Sequence, residues 1–515
     1  MERLVLLSLI NILSHYEHKE LDNKATSINK ILPISLMEEA ASYIFYDLKK
    51  RFVLNREKIA IICGTGNNGG DGLSLARKFL AYNIPIDIYL FDNKNDNKSG
   101  SELYKYQKNI IETLNIEFKP LESLSNNINN YSIIIDSIFG IGFDRTRLNS
   151  KITDLFTIIN SSKKIVISID TPSGIGELSS NAEISANSII SANVTYSLGF
   201  YKDSFFNILN RKFIGKIKNI KLSFFINNID RENNFFYIDK KKYKDKKSHK
   251  VDKTCKFERE NQDFVNKYSR GGTMFIGGSL GMVGSVVMAA TAAIRIGSGI
   301  SLILTEEESV PLINTLRKEL IADKISNYKS YIKKYETICI GPGLKVNDKE
   351  KEIIKEIFSE EKQFIIDASF FTIFDKSILS HFSLPPILTP HTGEFIKFFG
   401  DEANNIKTNT LKTVTDISKK YNSYIILKDS FIVIATPEGD GYVYDSPNRL
   451  LAQAGSGDIL AGIISGVNVS NNSMTLLDRI LKAVDIFYSV ARFLKKRKYK
   501  TYNPDYFLEL LSRYS

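Results

Sequence analysis

Between residues 58 and 199 the chain returns five times to a short run rich in Ile and Val that ends near a Gly, Asp or Pro: KIAIIC, PIDIYLF, YSIIIDSIFG, KIVISID and NVTYSLG. Strands with one wet face alternate apolar and polar residues, whereas strands buried on both faces do not. These runs, separated by helix-like patterns, therefore predict a parallel sheet covered by helices on both sides. Functional residues of such a sheet sit at the carboxyl ends of its strands. Three ends stand out: GTGNNGGDG after the first run, DSIFGIGFDR at 136–145 and DTPSG at 170–174.

The first of these places five glycines within residues 63–72, ahead of an amphipathic segment. Strand, glycine-rich turn and helix form an anion site, because free N–H groups at the helix start point at a bound phosphate. Gly64, Gly66 and Gly69 do not keep the spacing of the dinucleotide fingerprint, and Gly70, Asp71 and Gly72 follow at once. Asp136 and Asp170 each close an apolar run, where a loop carboxylate and a site carboxylate are both open readings. With Ser173 and Asn68, Asp136 offers an oxygen cage suited to a hard monovalent cation.

A second α/β set starts near residue 266, with GGTMFIGGSLGMVGSVVMAATAAIRIGSGISLIL and further strands in ICIGPG, QFIIDAS, PPILTPHTGEF, YIILKDS and FIVIATPEGDGYVY. It ends in AGSGDILAGIISG, a glycine turn opening a helix. Asp458 at that helix start is read either as a general base or as a cap of its own helix. His391 in TPHTGE is read either as a site residue or as a turn cap. A length of 515 residues also requires at least two domains. The expected division is 1–225, a linker at 226–265 and 266–515.

The net charge of +11 is uneven: residues 239–256 hold nine Lys against three Asp, a solvated linker before it is a nucleic-acid arm. Cys63, Cys255 and Cys339 are too scattered for a disulfide framework or a zinc site, which suits a reducing cytoplasm. MERLVLLSLINIL has Glu2 where a signal needs basic residues and is too short to span a bilayer, so it is expected as a packing helix.

GTGNNGGDGLSLAR, DSIFGIGFDR and DTPSG resemble the NAD(P)H-hydrate epimerase domain, while NKYSRGGTMFIGGS, IGPGL, LTPHTGEF, LKDS and AGSGDILAGIISG resemble the NAD(P)H-hydrate dehydratase domain. Their order is that of the bacterial bifunctional nicotinamide-repair family. The resemblance implies a Rossmann-like three-layer sandwich followed by a ribokinase-like α/β domain. It implies epimerisation of R and S forms of NADH or NADPH hydrated at C6, and dehydration of the S form at the expense of ADP, with magnesium.

Carried over by motif, it implies hydrate contacts at Asn67, Asn68, Gly69, Gly70 and Asp71, at Gly140, Ile141, Gly142, Phe143, Asp144, Arg145 and Thr146, and at Asp170, the candidate acid–base group. Potassium falls to Asn68, Asp136 and Ser173. In the second half it implies hydrate contacts at Gly284, Gly343, His391 and the catalytic Asp458. ADP falls to Lys428 and to Ala454, Gly455, Ser456 and Gly457. Small-molecule substrates, a homo-oligomer, and neither a specific nucleic acid nor a membrane are expected as partners. Three positions depart from the family pattern: Ser369 replaces a carboxylate, Asp429 follows Lys428 where Gly is usual, and Gly176-Glu177 shortens an acidic segment. The competing enzyme class is a ribokinase-like kinase of a vitamin precursor. The competing non-enzymatic reading is an RNA-associated scaffold.

Overall fold

A computed structural model describes residues 8–91, 100–176, 186–223, 231, 233–239, 271–470, 473–501 and 503–514. Most of the expected linker, including the Lys-rich stretch 240–256 and Cys255, lies outside the described residues, as do the NKYSR stretch at 266–270 and Glu177. Residues Phe235–Asp239, inside the range expected as linker, form a strand. The chain divides into two compact units, one of Ile10–Phe235 with Lys407–Thr410, the other of Met1–Leu9, Phe236–Ile406 and Leu411–Ser515.

The first unit carries a six-stranded, all-parallel sheet. In spatial order its strands are Ile86–Leu90, Ile59–Cys63, Ile133–Ser137, Ile165–Ile169, Val194–Leu198 and Lys216–Ile220. Strand order reverses between Ile59–Cys63 and Ile133–Ser137, and such a switch point opens a crevice at the carboxyl ends. Ile59, Ile61 and Cys63 enter one apolar core with Leu73 and Phe79, while Ala60 and Ile62 enter another with Phe156 and Ile159. Burial on both faces is the physical reason for the unbroken Ile/Val runs.

The second unit has a sheet ordered Ile321–Lys324, Ile300–Thr305, Gly272–Ile276, Thr337–Ile340, Gln363–Ile366, Ile387–Leu388 and Tyr424–Lys428, all parallel. Ile432–Ala435 and Gly441–Tyr444 then add antiparallel, so FIVIATPEGDGYVY is a hairpin. The expectation of two α/β domains holds. The expected N-terminal packing helix does not: Ser8–Leu13 is a strand, and Ile12 and Leu13 pair in parallel with Tyr201 and Lys202. The helix begins later, at His15–Ser27, where Ser14 and Glu17 form a reciprocal capping box. Among the described residues no helix is long and apolar enough to cross a membrane.

Two helices of the second unit, Val283–Ile296 and Ser456–Ser470, lie in backbone contact. A Cβ on Gly462 would stand 2.0 Å from the Ala289 carbonyl oxygen, and one on Gly466 would stand 2.6 Å from that of Ala293. The Ser285 side chain lies near enough to the Asp458 carboxyl to favour its charged form. Three contacts at one constant sequence offset mean that the helices run parallel and in register, with both N-termini at the same place. Gly462→Val should cost the second unit about 1–3 kcal/mol or more through overpacking. Gly284→Ala, where a Cβ meets nothing within 4 Å, should leave stability unchanged or slightly raised. Thermal unfolding of the two variants checks this.

Candidate active site

The first unit holds a cavity of about 880 Å³ at the switch point. The helix Asn67–Ala81 starts at its wall, and its N-cap, Gly66, makes no side-chain cap and would meet nothing within 4 Å if it carried a Cβ. Gly64 and Gly69 serve another purpose than opening the backbone to phosphate. A Cβ on Gly69 would lie 1.8 Å from the Gly64 carbonyl oxygen, and one on Gly64 would lie 2.0 Å from that of Ile138. These two glycines let the turn fold onto itself and onto the neighbouring strand end, which leaves Gly66 and the helix start for a ligand.

Asp170 stands where the strand Ile165–Ile169 ends, with a left-handed φ of 65° that aims its carboxylate into the cavity. Its Oδ1 accepts from Lys202 Nζ at 2.6 Å, and its Oδ2 accepts from the Ile141 N–H at 3.3 Å. Burial pushes this carboxyl up, but the Lys202 ammonium, with the Ile141 amide, outweighs it and holds it below the usual carboxylate range. Lys202 is 1% exposed and also donates to Ser197 Oγ and the Leu198 carbonyl, each at 3.2 Å.

Two more carboxyls line the cavity, both shifted in the opposite direction. Burial, then the charges of Asp170 and Asp22, raise Asp71 well above the usual range. Burial and Asp170 push Asp22 up to about 6. Burial and Lys202 lower His18 to about 3, so its ring is neutral. Part of the wall is aromatic: Phe139 stacks on Phe143 at 4.2 Å, and both line the cavity with Phe91.

Of the residues expected here, Asn67, Asn68, Asp71, Gly140, Ile141, Gly142, Phe143, Asp144 and Asp170 line the cavity. Gly69 and Gly70 are buried behind them. Arg145 turns elsewhere, donating to the Gly174 carbonyl at 2.6 Å and to Ser188 Oγ, while Thr146 bonds Asp144. Below the cavity floor Asp136 is fully buried; it accepts from Ser168 Oγ, Ser173 Oγ, and the Ser173 and Ile138 amides. Both side-chain polar atoms of Asn68 are buried, with no hydrogen-bond partner among the described residues.

In the second unit the cluster forms at the shared start of the two parallel helices. Lys428 Nζ donates to Asp367 Oδ1 at 2.6 Å, and Thr389 Oγ1 donates to the same oxygen at 2.8 Å. A Cβ on Gly457 would lie 3.2 Å from Lys428 Nζ, so the ammonium sits against the AGSGD turn. Asp458 is pushed up to about 6 by burial and by the Asp367 charge, partly offset by Lys428. Ser456 Oγ donates back to the Leu451 carbonyl, and Gly455 takes a left-handed φ of 87° that turns the chain into the helix. Gly343 also has a positive φ, 62°, with the Met282 carbonyl where its Cβ would be, and closes the turn beside Gly284.

His391 caps the helix Thr392–Phe399. Its Nδ1 accepts from the Gly393 and Glu394 amides, and Glu394 accepts from the His391 amide. The ring thus caps the helix through Nδ1, which places its proton on Nε2, the nitrogen a ligand would meet. Asp429 does not face the ammonium of Lys428: Thr392 Oγ1 donates to its carboxylate at 2.6 Å and the Ser430 amide holds its other oxygen. Ser369 begins a short helical turn after Asp367 and the left-handed Ala368.

Residues 273–513 match the NAD(P)H-hydrate dehydratase family, and residues 33–204 match the family described as YjeF-related protein N-terminus. The bifunctional NAD(P)H-hydrate repair enzyme of Dictyoglomus turgidum is 28% identical over 489 residues, covering 90% of each chain. That of Coxiella burnetii is 26% identical over 457 residues, covering 87% of this chain and 88% of its own. The chain belongs to the bifunctional NAD(P)H-hydrate repair enzymes. The ADP-dependent (S)-NAD(P)H-hydrate dehydratase of Streptococcus pneumoniae is 27% identical over 248 residues, covering 47% of this chain and 85% of its own.

In this repair enzyme the residues that sequence reasoning missed are Lys202, Asp22, His18 and Asp367. Asp367 ends QFIID just as Asp136 and Asp170 end their runs, and the same rule would have found it. His15, His18 and Asp22 follow one another at helical spacing on one face, a polar stripe that the packing-helix reading of the preceding segment left unread.

Because folding raises the Asp458 carboxyl, its contribution to stability is present below the unfolded value near 4 and is lost as pH rises through about 6. Relative to wild type, Asp458→Asn should therefore gain stability between pH 4 and 6 and keep the gain above. Solvent reaches the group, so the gain is on the order of 1–2 kcal/mol. Unfolding midpoints of both proteins across that range measure it.

Proposed function

We infer that this chain repairs hydrated nicotinamide cofactors: the first unit interconverts the R and S hydrates of NADH or NADPH, and the second dehydrates the S form at the expense of ADP. The observation that supports this most is that each unit places an acid–base carboxyl beside a helix N-terminus at the strand ends, within a match to the repair family along most of the chain.

In the second unit the chemistry is transfer of a phosphoryl group to the C6 hydroxyl, followed by expulsion of phosphate with help from the ring nitrogen. Asp458 takes the hydroxyl proton, and a carboxylate held near pH 6 is a stronger base than an ordinary Asp while still ionised at neutral pH. Lys428, anchored by Asp367, and the amides of the Ala454–Gly457 turn meet the nucleotide phosphates. Magnesium fits here as an ion brought by the nucleotide: among the described residues no three His, Cys, Asp or Glu cluster to hold a metal. It would supply charge neutralisation on the phosphates.

In the first unit Asp170 acts at C6, and the Gly66–Asn68 helix start binds phosphate of the dinucleotide. Potassium fits Asn68, Asp136 and Ser173, since all are oxygen donors and the buried Asn68 oxygen has no partner. The ion would fix the Asn68 side chain beneath the glycine turn. Potassium should accordingly raise the unfolding midpoint of the full chain more than lithium does, and Asp136→Asn should remove the difference.

Racemic NADH hydrate, mixed with the full chain, magnesium and ADP, should return all of its reduced-nicotinamide absorbance. Recovery stopping near half would remove the epimerase assignment, and no recovery with ADP or ATP would remove the dehydratase assignment. Asp170→Ala is a poor probe of the first site, because it strands the buried Lys202 ammonium at a cost of about 3–5 kcal/mol. Asp170→Asn keeps the shape and should stop recovery near half.

A further inference from the structure

Epimerisation at C6 needs two proton-handling groups, one for each face of the ring, and the assignment above supplies one. The cavity wall presents three carboxyls from three elements: Asp22 from His15–Ser27, Asp71 from Asn67–Ala81 and Asp170 from the end of Ile165–Ile169. Lys202 bonds only Asp170 among them, at 2.6 Å, and is itself fixed by Ser197 and Leu198. Its ammonium thereby makes Asp170 the most readily ionised of the three.

We propose that Asp22 is the proton donor of the epimerisation, that Asp170 is the acceptor, and that Lys202 is the positioning residue that keeps the two roles apart. Nothing in the motifs of the glycine turn or the strand ends assigns Asp22 or Lys202. The inference rests on the epimerase reading of the first unit.

The step balances as follows. The ring N1 lone pair forms the C6=N1 bond as the C6–O bond breaks, and the departing oxygen takes the Asp22 proton and leaves as water. A water then adds to the opposite face of C6, gives its extra proton to Asp170, and the C6=N1 pair returns to N1. One water leaves and one enters, and the proton moved from Asp22 to Asp170 returns through cavity water. The cation formed in between is met by the Asp170 carboxylate and by that of Asp22, which has just given up its proton.

Asp22 suits the donor role better than Asp71 because it must be recharged from water at each turnover. Its side chain is open to the cavity, whereas Asp71 is 8% exposed. Its elevated value near 6 agrees with a group carrying its proton in the free enzyme at mildly acidic pH. The titratable neighbours of the pair are His15 and His18 on the same helix, Asp71 on the glycine helix, and Lys202.

The test uses the full chain without nucleotide, the purified R hydrate and water enriched in heavy oxygen, with epimers separated and weighed. Wild type should epimerise and place solvent oxygen in the product. Asp22→Asn should lower kcat about 100-fold or more with KM nearly unchanged, and oxygen exchange should fall with it. Asp22→Glu should recover part of the rate. Lys202→Met should show the same loss and Lys202→Arg a partial return, with Asp170→Asn/Lys202→Met, which removes both charges together, folding as well as wild type. An Asp22→Asn enzyme within about threefold of wild type, or an epimerised product without solvent oxygen, overturns the proposal. A wild type that does not epimerise removes the reading beneath it as well.

Discussion

A parallel sheet buried on both faces leaves a chain nowhere to put charge except at the strand ends. Ile59 to Cys63 and Ile133 to Ser137 are fully buried along their length, and so are Thr337 to Ile340. The ionisable groups of the two clusters stand near such ends or on helices facing them: Asp136, Asp170, Lys202, Asp22 and Asp71 in one unit, Asp367, Lys428 and Asp458 in the other. Confinement also makes these groups costly, since each leaves bulk water and must find its counter-charge within the crevice. The Lys202–Asp170 and Lys428–Asp367 pairs are the two solutions, both at 2.6 Å.

The second unit adds a further source of field. Parallel, in-register helices bring two partial positive charges to one point, an arrangement without benefit to the free protein and favourable once an anion is present. It exists because Gly462 and Gly466 let one backbone rest on the carbonyls of Ala289 and Ala293. Packing inside the helix thus fixes electrostatics at its end. The raised Asp458 carboxyl stands at the same point, where burial and the Asp367 charge outweigh the Lys428 ammonium.

Much of this was readable in the sequence, and the failures have physical reasons. Unbroken Ile/Val runs predicted the parallel sheets, and carboxylates closing them led to Asp136 and Asp170. Ser8–Leu13 was misread because a six-residue apolar run satisfies strand and helix equally. Lys202 left no signal: it follows Gly199 on a two-residue strand, and only the fold turns its ammonium onto Asp170. Arg145 fell in a motif but spends its guanidinium on loop carbonyl and hydroxyl groups. His391 bonds the Gly393 and Glu394 amides through Nδ1, a local cap that leaves its other ring nitrogen for a ligand.

The self-contact of the glycine turn has a thermodynamic meaning. With the Gly64 carbonyl filling the space where Gly69 would carry a side chain, the turn has one compact arrangement, and opening it would break its fit to Ile138. Its conformational entropy is surrendered when the unit folds, long before a dinucleotide arrives. An anion bound at this helix start would meet a cradle already set, so the loop would add no ordering term to association and impose no closing step on the rate of capture.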